Sequence, residues 1–443
     1  MGEKAPRRWY PILMIVMCIK LVLQAAISFR AAPKSIHIAF SQFAAVKNQA
    51  IPTNKSVSRW LTQVGLYKLN CLKEQANDWA LIIDNSVQIG SHKFLVILGV
   101  RLSKLQGKAL TFEDMEMLVM KIHEKSDETS VCKALETAQK KVGKVAMVCA
   151  DDGPDLRGGI VCFCKKYNAG RIFDITHKIG TFLKKFLEKD PEWQAFTFAA
   201  AEAKRKMQQT QAAHLAPPNQ RTKSRFLNIE VLVHWGIDII MALESPKHPD
   251  KTLLEKYCGW IRQHKELLER LKQMALLSQK VRQHIREQGI CTTTGDQIDT
   301  MLENAMVLFN FNEQACEYAG MLIDFVQGQS KIIPVGQVWV ASSEIIESLF
   351  GKLKSLEQDQ SKGGFTSLVL GAAACVGKVD ADIVGAAMRQ VSTRDVDTWT
   401  KEQIGPTLLS KRRKALGSWR KKKKIKNIIQ EQAGISLMNV AGF

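Results

Sequence analysis

Trp79-Ala80-Leu81-Ile82-Ile83-Asp84 leads into Asn85-Ser86-Val87-Gln88-Ile89-Gly90 and then His92-Lys93-Phe94-Leu95-Val96-Ile97-Leu98-Gly99-Val100. Five apolar residues run into one carboxylate, a short polar turn intervenes, and a second mostly apolar run follows. The pattern predicts a buried strand, a hairpin turn and a second strand. An aspartate carried into a buried strand is costly unless something pairs with it, and a divalent cation is one such partner. An aspartate at a strand end can also serve the turn alone, so a second feature has to decide.

That feature lies downstream. Ser130 to Val142 reads as a helix closed by Lys140-Lys141 and Gly143, and Lys144 to Ala150 is a second buried run that ends in Asp151-Asp152-Gly153. Phe112 to Glu124 fits either strand or helix. Gly158 to Phe163 and Arg171 to Ile175 continue an α/β alternation. Cys149, Cys162 and Cys164 fall in apolar, strand-like runs, where a free thiol behaves as a small hydrophobe. From Leu183 to residue 331 the character changes, and only Phe226 to Val233 could pass for a strand. Leu254, Tyr257, Ile261, Leu268 and Leu271 recur at helical spacing, which predicts a helical block of about 150 residues. Pro334 to Val340 is then short and extended, and Ser342 to Lys354 starts a helix that carries Glu344 and Glu347, with a weak cap.

At the amino end, Arg7-Arg8 precede an uncharged run from Trp9 to Ile19 and the small pair Ala25-Ala26, in imitation of a signal peptide. Lys20 interrupts the run short of the roughly 18–20 apolar residues of a membrane span. A buried first helix is therefore expected, with no membrane partner. A second helix is expected over Ser35 to Val46. Pro52-Thr53-Asn54 caps a third, in which Val57, Leu61 and Val64 face inward while Arg59, Thr62 and Gln63 share another face. Such a face suits the DNA-reading helix of a helix-turn-helix; the alternative is a plain helical cap on the catalytic domain.

The 443-residue chain carries a net charge of +20, unevenly placed. Residues 1–79 hold eleven Lys/Arg against three Asp/Glu, and residues 400–443 hold eleven against two, leaving the middle nearly neutral. Two basic ends around a carboxylate-bearing centre fit a polyanion partner. The tail contains Lys411-Arg412-Arg413-Lys414 and Arg420-Lys421-Lys422-Lys423-Lys424, runs that favour polyanions without reading sequence. Ten scattered cysteines without a C-x-x-C pair predict a reduced, cytosolic protein with no zinc site.

Asp84 and Asp151, each on a buried strand, and Glu347 at a helix start can gather at one sheet edge. Three carboxylates with room for water and phosphate make a Mg²⁺ or Mn²⁺ site, and two such ions suit phosphodiester chemistry. Lys354, two helical turns beyond Glu347, shares its face and could hold a phosphate. Asp152 and Glu344 stand as alternatives to Asp151 and Glu347. Asp174 and His177 read as a structural pair beside the site.

At these residues the chain resembles a DDE transposase of a bacterial insertion sequence. The segments that carry the likeness are the Asp84 strand, Asp151 to Leu156, and Ile346-Glu347-Ser348-Leu349-Phe350-Gly351-Lys352-Leu353-Lys354. One branch has a Tyr-x2-Arg-x3-Glu-x6-Lys signature; this chain keeps Glu347 and Lys354 but has Val340 and Ser343 in place of Tyr and Arg. The resemblance implies an α/β ribonuclease-H-like core, a mixed sheet flanked by helices, interrupted by a large all-α insertion. The expected organisation is a helix-turn-helix-like region over 1–78, core halves over 79–182 and 334–398, the insertion over 183–333, and a basic tail over 399–443. It also implies metal-dependent cleavage and strand transfer on double-stranded DNA (transposon ends and target), by a homo-oligomer working in the cytoplasm on nucleoid DNA. A catalytically inactive, transposase-derived DNA-binding protein is the rival.

Overall fold

The structure, a computed structural model, describes residues 3–6, 8–41, 50–89, 92–105, 107–123, 127–151, 153–220, 226, 229–358, 365–406 and 409–417. Three helices come first: α1 (Ile12–Leu23), α2 (Ala31–Ser41) and α3 (Asn54–Asn70). Then follow β1 (Ala76–Ile89), β2 (His92–Arg101), β3 (Glu116–His123), α4 (Glu128–Val142), β4 (Gly143–Ala150), α5 (Pro154–Tyr167) and β5 (Gly170–Phe173). A run of helices follows: α6 (Ile175–Leu187), α7 (Pro191–Met207), α8 (Ile229–Glu244), α9 (Lys251–Cys258), α10 (Lys265–Gln288), α11 (Thr294–Phe309) and α12 (Glu313–Ser330). After these come α13 (Glu344–Gln358), α14 (Leu370–Cys375), α15 (Ala381–Gln390) and α16 (Thr393–Gln403).

Among the described residues, five strands form one mixed sheet in the order β3-β2-β1-β4-β5. β1 is antiparallel to β2 and β2 to β3, whereas β4 runs parallel to both β1 and β5. β1 is central, so both its faces are covered and Trp79 to Ile83 are buried without alternation. On one face Leu81, Ile83, Leu95 and Ile97 pack against Leu135 and Ala138 of α4 and Ile160 and Phe163 of α5. On the other, Ala80, Ile82, Val96, Met147 and Cys149 join a core shared with the helices of both chain ends and of the central helical run.

Local sequence explains the joints. Asp127 accepts the amide of Ser130 (2.7 Å) to open α4. Gly143 ends that helix at φ +94, where a Cβ would lie 2.7 Å from the Ala76 carbonyl. Pro154 sits in the first turn of α5, where no amide is needed.

Several expectations are corrected. The hairpin turn expected from Asn85 does not begin there; β1 runs through Ile89, because β2 keeps pairing after β4 has stopped at Ile82. Asp84 is therefore inside the ladder, opposite Val96. Within Phe112 to Glu124, Phe112–Asp114 form a 3-10 turn and Glu116–His123 form β3; Glu124 lies outside the described residues. Cys162 and Cys164 are on α5, and Ile229 to Val233 are in α8, since apolar runs of this length do not distinguish strand from buried helix. The second helix begins at Ala31 and takes Pro33 into its first turn. α6 runs through residue 183, so the junction expected there falls inside a helix.

The three amino-terminal helices are built into the carboxyl-terminal ones. The buried Lys68 ammonium donates to the carbonyls of Ala374 (3.1 Å), Val376 (2.7 Å) and Gly377 (3.2 Å), closing the end of α14. Arg8 donates to the carbonyls of Met388 and Val391 at the end of α15. Among the described residues, no helix is long and apolar enough to cross a membrane.

Candidate active site

Sheet register brings the strand-borne carboxylates together. Ile82 is level with Cys149 across the parallel ladder, and two residues on the same strands carry Asp84 and Asp151. Ala150 is level with Phe173, and one residue on come Asp151 and Asp174. The amide of Asp174 still donates to Ala150 O (2.9 Å), so pairing holds to that level. Ile82, Cys149 and Ile172 all belong to the core on one face of the sheet. Side chains alternate with a period of two, which assigns Asp84, Asp151 and Asp174 to that face as a row across three adjacent strands.

The chain returns to this row after the helical run. The Trp339 ring lies against Gly170, where a Cβ would come within 2.0 Å of it. Ala341 O then accepts from Ile175 N (3.0 Å), and α13 begins beside the start of α6. Asp174 is the fastener. Fully buried, it accepts from the amides of Thr176 (2.7 Å) and Ser343 (3.0 Å), from His177 Nδ1 (3.1 Å) and from the Ser343 hydroxyl. Burial alone would push this carboxyl up; His177 and Ser343 overcome it and hold the pKa below the ordinary value.

With Nδ1 given to Asp174, the other imidazole nitrogen of His177 faces Glu347 Oε1 at 3.7 Å. Burial disfavours the imidazolium, yet the carboxylates of Asp174, Asp151 and Glu347 outweigh it and raise His177 to about 9. Asp84 accepts from the Asn85 amide (2.6 Å) and its pKa is raised to about 7, first by burial and then by the charge of Asp151, with Glu347 adding to it. Glu347 is likewise raised, mainly by burial. Asp151 accepts from the Gly153 amide (3.3 Å), a tight turn that a Cβ at 153 would crowd. The charges of Asp84, Asp151, Glu347 and His177 thus act on one another.

Glu344, one turn earlier, is differently engaged. It accepts from the Thr176 hydroxyl (3.1 Å) and lines a cavity of about 160 Å³ with Ser348, Lys108 and Arg286, a cavity that Asp84, Asp151 and Glu347 do not line. Asp152 lies outside the described residues. Among the described residues, no three His, Cys, Asp or Glu side chains close around a single point.

The residues expected to contact DNA separate into three groups. Arg59 and Lys354 are exposed, as are Lys411, Arg412, Arg413 and Lys414 on a short helical stretch. Thr62 and Gln63 are buried, so the polar face expected on α3 is not formed. Thr62 donates to Arg59 O (2.9 Å) and Gln63 to Val391 O (2.6 Å), because that side of α3 packs against α14 and α15. Arg420, Lys421, Lys422, Lys423 and Lys424 lie outside the described residues. Ser343 and Thr176 were not singled out from the sequence; the only signal for them is the Asp174-x-Thr176-His177 helix-cap pattern.

No protein-family model matches the chain, and no curated protein matches it. Among solved structures, a chain of the "Drosophila P element transposase strand transfer complex" is similar over 87% of this chain and 94% of its own length, with a TM-score of 0.40 and 12% sequence identity.

Proposed function

We propose that this chain is a DNA transposase of the DDE type, of the kind found in bacterial insertion sequences. In this reading the mixed sheet with its flanking helices is a ribonuclease-H-like core, and α7–α12 are the all-α insertion that separates its halves. The observation that carries the reading is the register of Asp84 beside Asp151, with Glu347 returned to the same electrostatic cluster by the Asp174–Ser343 fastening.

The donor set suits a hard divalent cation. All three candidate ligands are carboxylates, and Asp84 is raised first by burial and then by the charge of Asp151 beside it. Mg²⁺ keeps several waters and is held by one or two carboxylates together with substrate phosphates, so a closed cage of three protein ligands is not required. Asp84 and Asp151 would hold one Mg²⁺ or Mn²⁺, and Glu347 would contribute to a second. The chemistry supplied with the ions in place is activation of the attacking oxygen and stabilisation of the leaving oxygen of a phosphodiester.

The protein's own part is positioning. Asp174 fixes the direction of the His177 ring and ties down the start of α13, so the bearing of Glu347 depends on a residue that holds no substrate. The exposed Lys354 offers a cation to a phosphate, and the basic tail adds sequence-independent affinity for double-stranded DNA. A homo-oligomer assembled on the two transposon ends completes the reading.

The test is cleavage and strand transfer on a duplex bearing the element's own ends, with Mg²⁺ or Mn²⁺, comparing the wild type with Asp84→Asn. Metal-dependent 3′-hydroxyl release by the wild type alone supports the reading. Binding without cleavage under every metal condition would leave a DNA-binding protein and reject the enzyme.

A further inference from the structure

From Lys4 to Lys73 the chain contains eleven Lys/Arg and not one Asp or Glu. Folding employs some of these cations internally: Arg8 and Lys68 close helix ends, and Lys73 pairs with Glu116 (2.6 Å). Others stay outside. Arg30, Lys34 and His37 are exposed along α2 and its entry, and they line an open groove of about 510 Å³ against the start of α3. Pro33, Pro52 and Ile51 also line the groove, as do Thr53 and Asn54, and no carboxylate does. Among the described residues, neither Arg30 nor Lys34 has an ion-pair partner.

We propose that this groove is a contact for the phosphate backbone of duplex DNA, separate from the carboxylate site and blind to base sequence. The proposal rests on the DNA-transposase reading. Its geometry comes from helix periodicity. Residues 30, 34 and 37 are spaced four and three apart, so they share one face of the helix. Seven residues span about 10 Å of axis, roughly the length over which one strand of B-DNA carries three phosphates. The groove also meets the first turn of α3, which holds no acidic residue and is the positive end of the helix dipole. An acid-free surface cannot neutralise its own cations, so it holds solution counterions that a polyanion releases on binding.

The partner chosen is nucleic acid rather than a lipid surface because the groove is concave and presents no large exposed apolar side chain among its lining residues, whereas an interfacial helix inserts one. The helices that form the groove pack on one another and on α1.

The experiment measures anisotropy of a fluorescein-labelled 30-base-pair duplex of arbitrary sequence with the full chain, from 50 to 200 mM KCl. The proteins are the wild type, Arg30→Gln/Lys34→Gln, and a control pair of exposed lysines on the helical run, Lys272→Gln/Lys331→Gln. Thermal melts check folding, which exposed positions should preserve. The groove variant should bind at least tenfold more weakly near 100 mM KCl, with a log–log salt slope shallower by about 2, at roughly 0.9 per lost phosphate contact. The control pair should match the wild type. An unchanged slope in the groove variant overturns the groove while leaving the transposase reading intact. Failure of the wild type to bind duplex at 50 mM KCl overturns both. Loss of binding to phosphatidylserine vesicles, with duplex binding unaffected, would assign the groove to lipid and overturn the proposal.

Discussion

Asp84 and Asp151 stand level on neighbouring parallel strands, two residues past the last pair of their ladder, Ile82 and Cys149. Burial first, and then repulsion between two carboxylates so placed, makes the folded protein hold a proton on Asp84 up to about pH 7. Linkage then fixes a sign. The unfolded chain releases that proton near pH 4, so between about pH 4 and 7 the folded state binds more protons and stability falls as pH rises. Asp84→Asn removes the repulsion. The variant should be more stable than the wild type by about 1–3 kcal/mol at pH 8, and nearly equal to it at pH 4. Millimolar Mg²⁺ should raise the melting temperature of the wild type at pH 8 and leave the variant unmoved. Denaturant titrations at the two pH values, with and without Mg²⁺, check both statements.

Glu347 and Glu344 differ by one helical turn and by what they touch. Glu347 faces His177, whereas Glu344 accepts from Thr176 and borders a separate cavity. In a metal-dependent cleavage assay Glu347→Gln should lose nearly all activity, and Glu344→Gln should lose only a modest fraction. The reverse order would move the third ligand one turn earlier.

The sequence made the row of carboxylates legible because each sits at the end of an apolar run, and apolar runs are the strongest signal a buried strand gives. It could not show that Asp174 lines up with them. That depends on the register of β4 and β5, and an aspartate before a helix reads equally well as a plain cap. Thr62 and Gln63 failed for a related reason. Polar residues at helical spacing look like a solvent face unless the partner helix is known, and here the partners are α14 and α15, more than 300 residues away. The ends of β1 and the nature of 226–233 were undecidable on pattern alone, since pairing partners set the first and burial overrode the second.

Asp174 is expected to matter for folding more than His177 does. Removing a buried carboxylate that satisfies Thr176, Ser343 and His177 leaves those donors bare and takes the nearest counter-charge from the imidazolium. Asp174→Ala should cost about 3–5 kcal/mol. His177→Gln keeps the carboxylate bonded to Ser343 and Thr176 and should cost about 1 kcal/mol. If His177 positions Glu347, the glutamine variant should still lower cleavage while leaving the affinity for duplex unchanged. Equal stabilities for the two variants would show that Asp174 is not the fastener.

The amino-terminal helices should behave as part of the body built on the sheet rather than as a detachable DNA-binding module. Lys68 reaches three carbonyls at the end of α14, and Gln63 and Arg8 meet on Val391 O beyond α15. These bonds are made in buried or half-buried surroundings, where an abandoned acceptor loses its water as well as its partner. Lys68→Met preserves the apolar stem but leaves the three carbonyls without their donor, and should destabilise the protein by about 2–4 kcal/mol. Arg59→Ala, on the exposed side of the same helix, should change stability by less than about 0.5 kcal/mol. The contrast is read by urea unfolding of the full chain at pH 7. It also bears on truncation: a chain beginning at residue 72 would bare the buried face of α14 and α15 and should not fold to a soluble, cooperative unit. A truncated protein that melts cooperatively near the wild-type temperature would show that α1–α3 are an appendage, and that the bonds from Arg8, Gln63 and Lys68 hold little together.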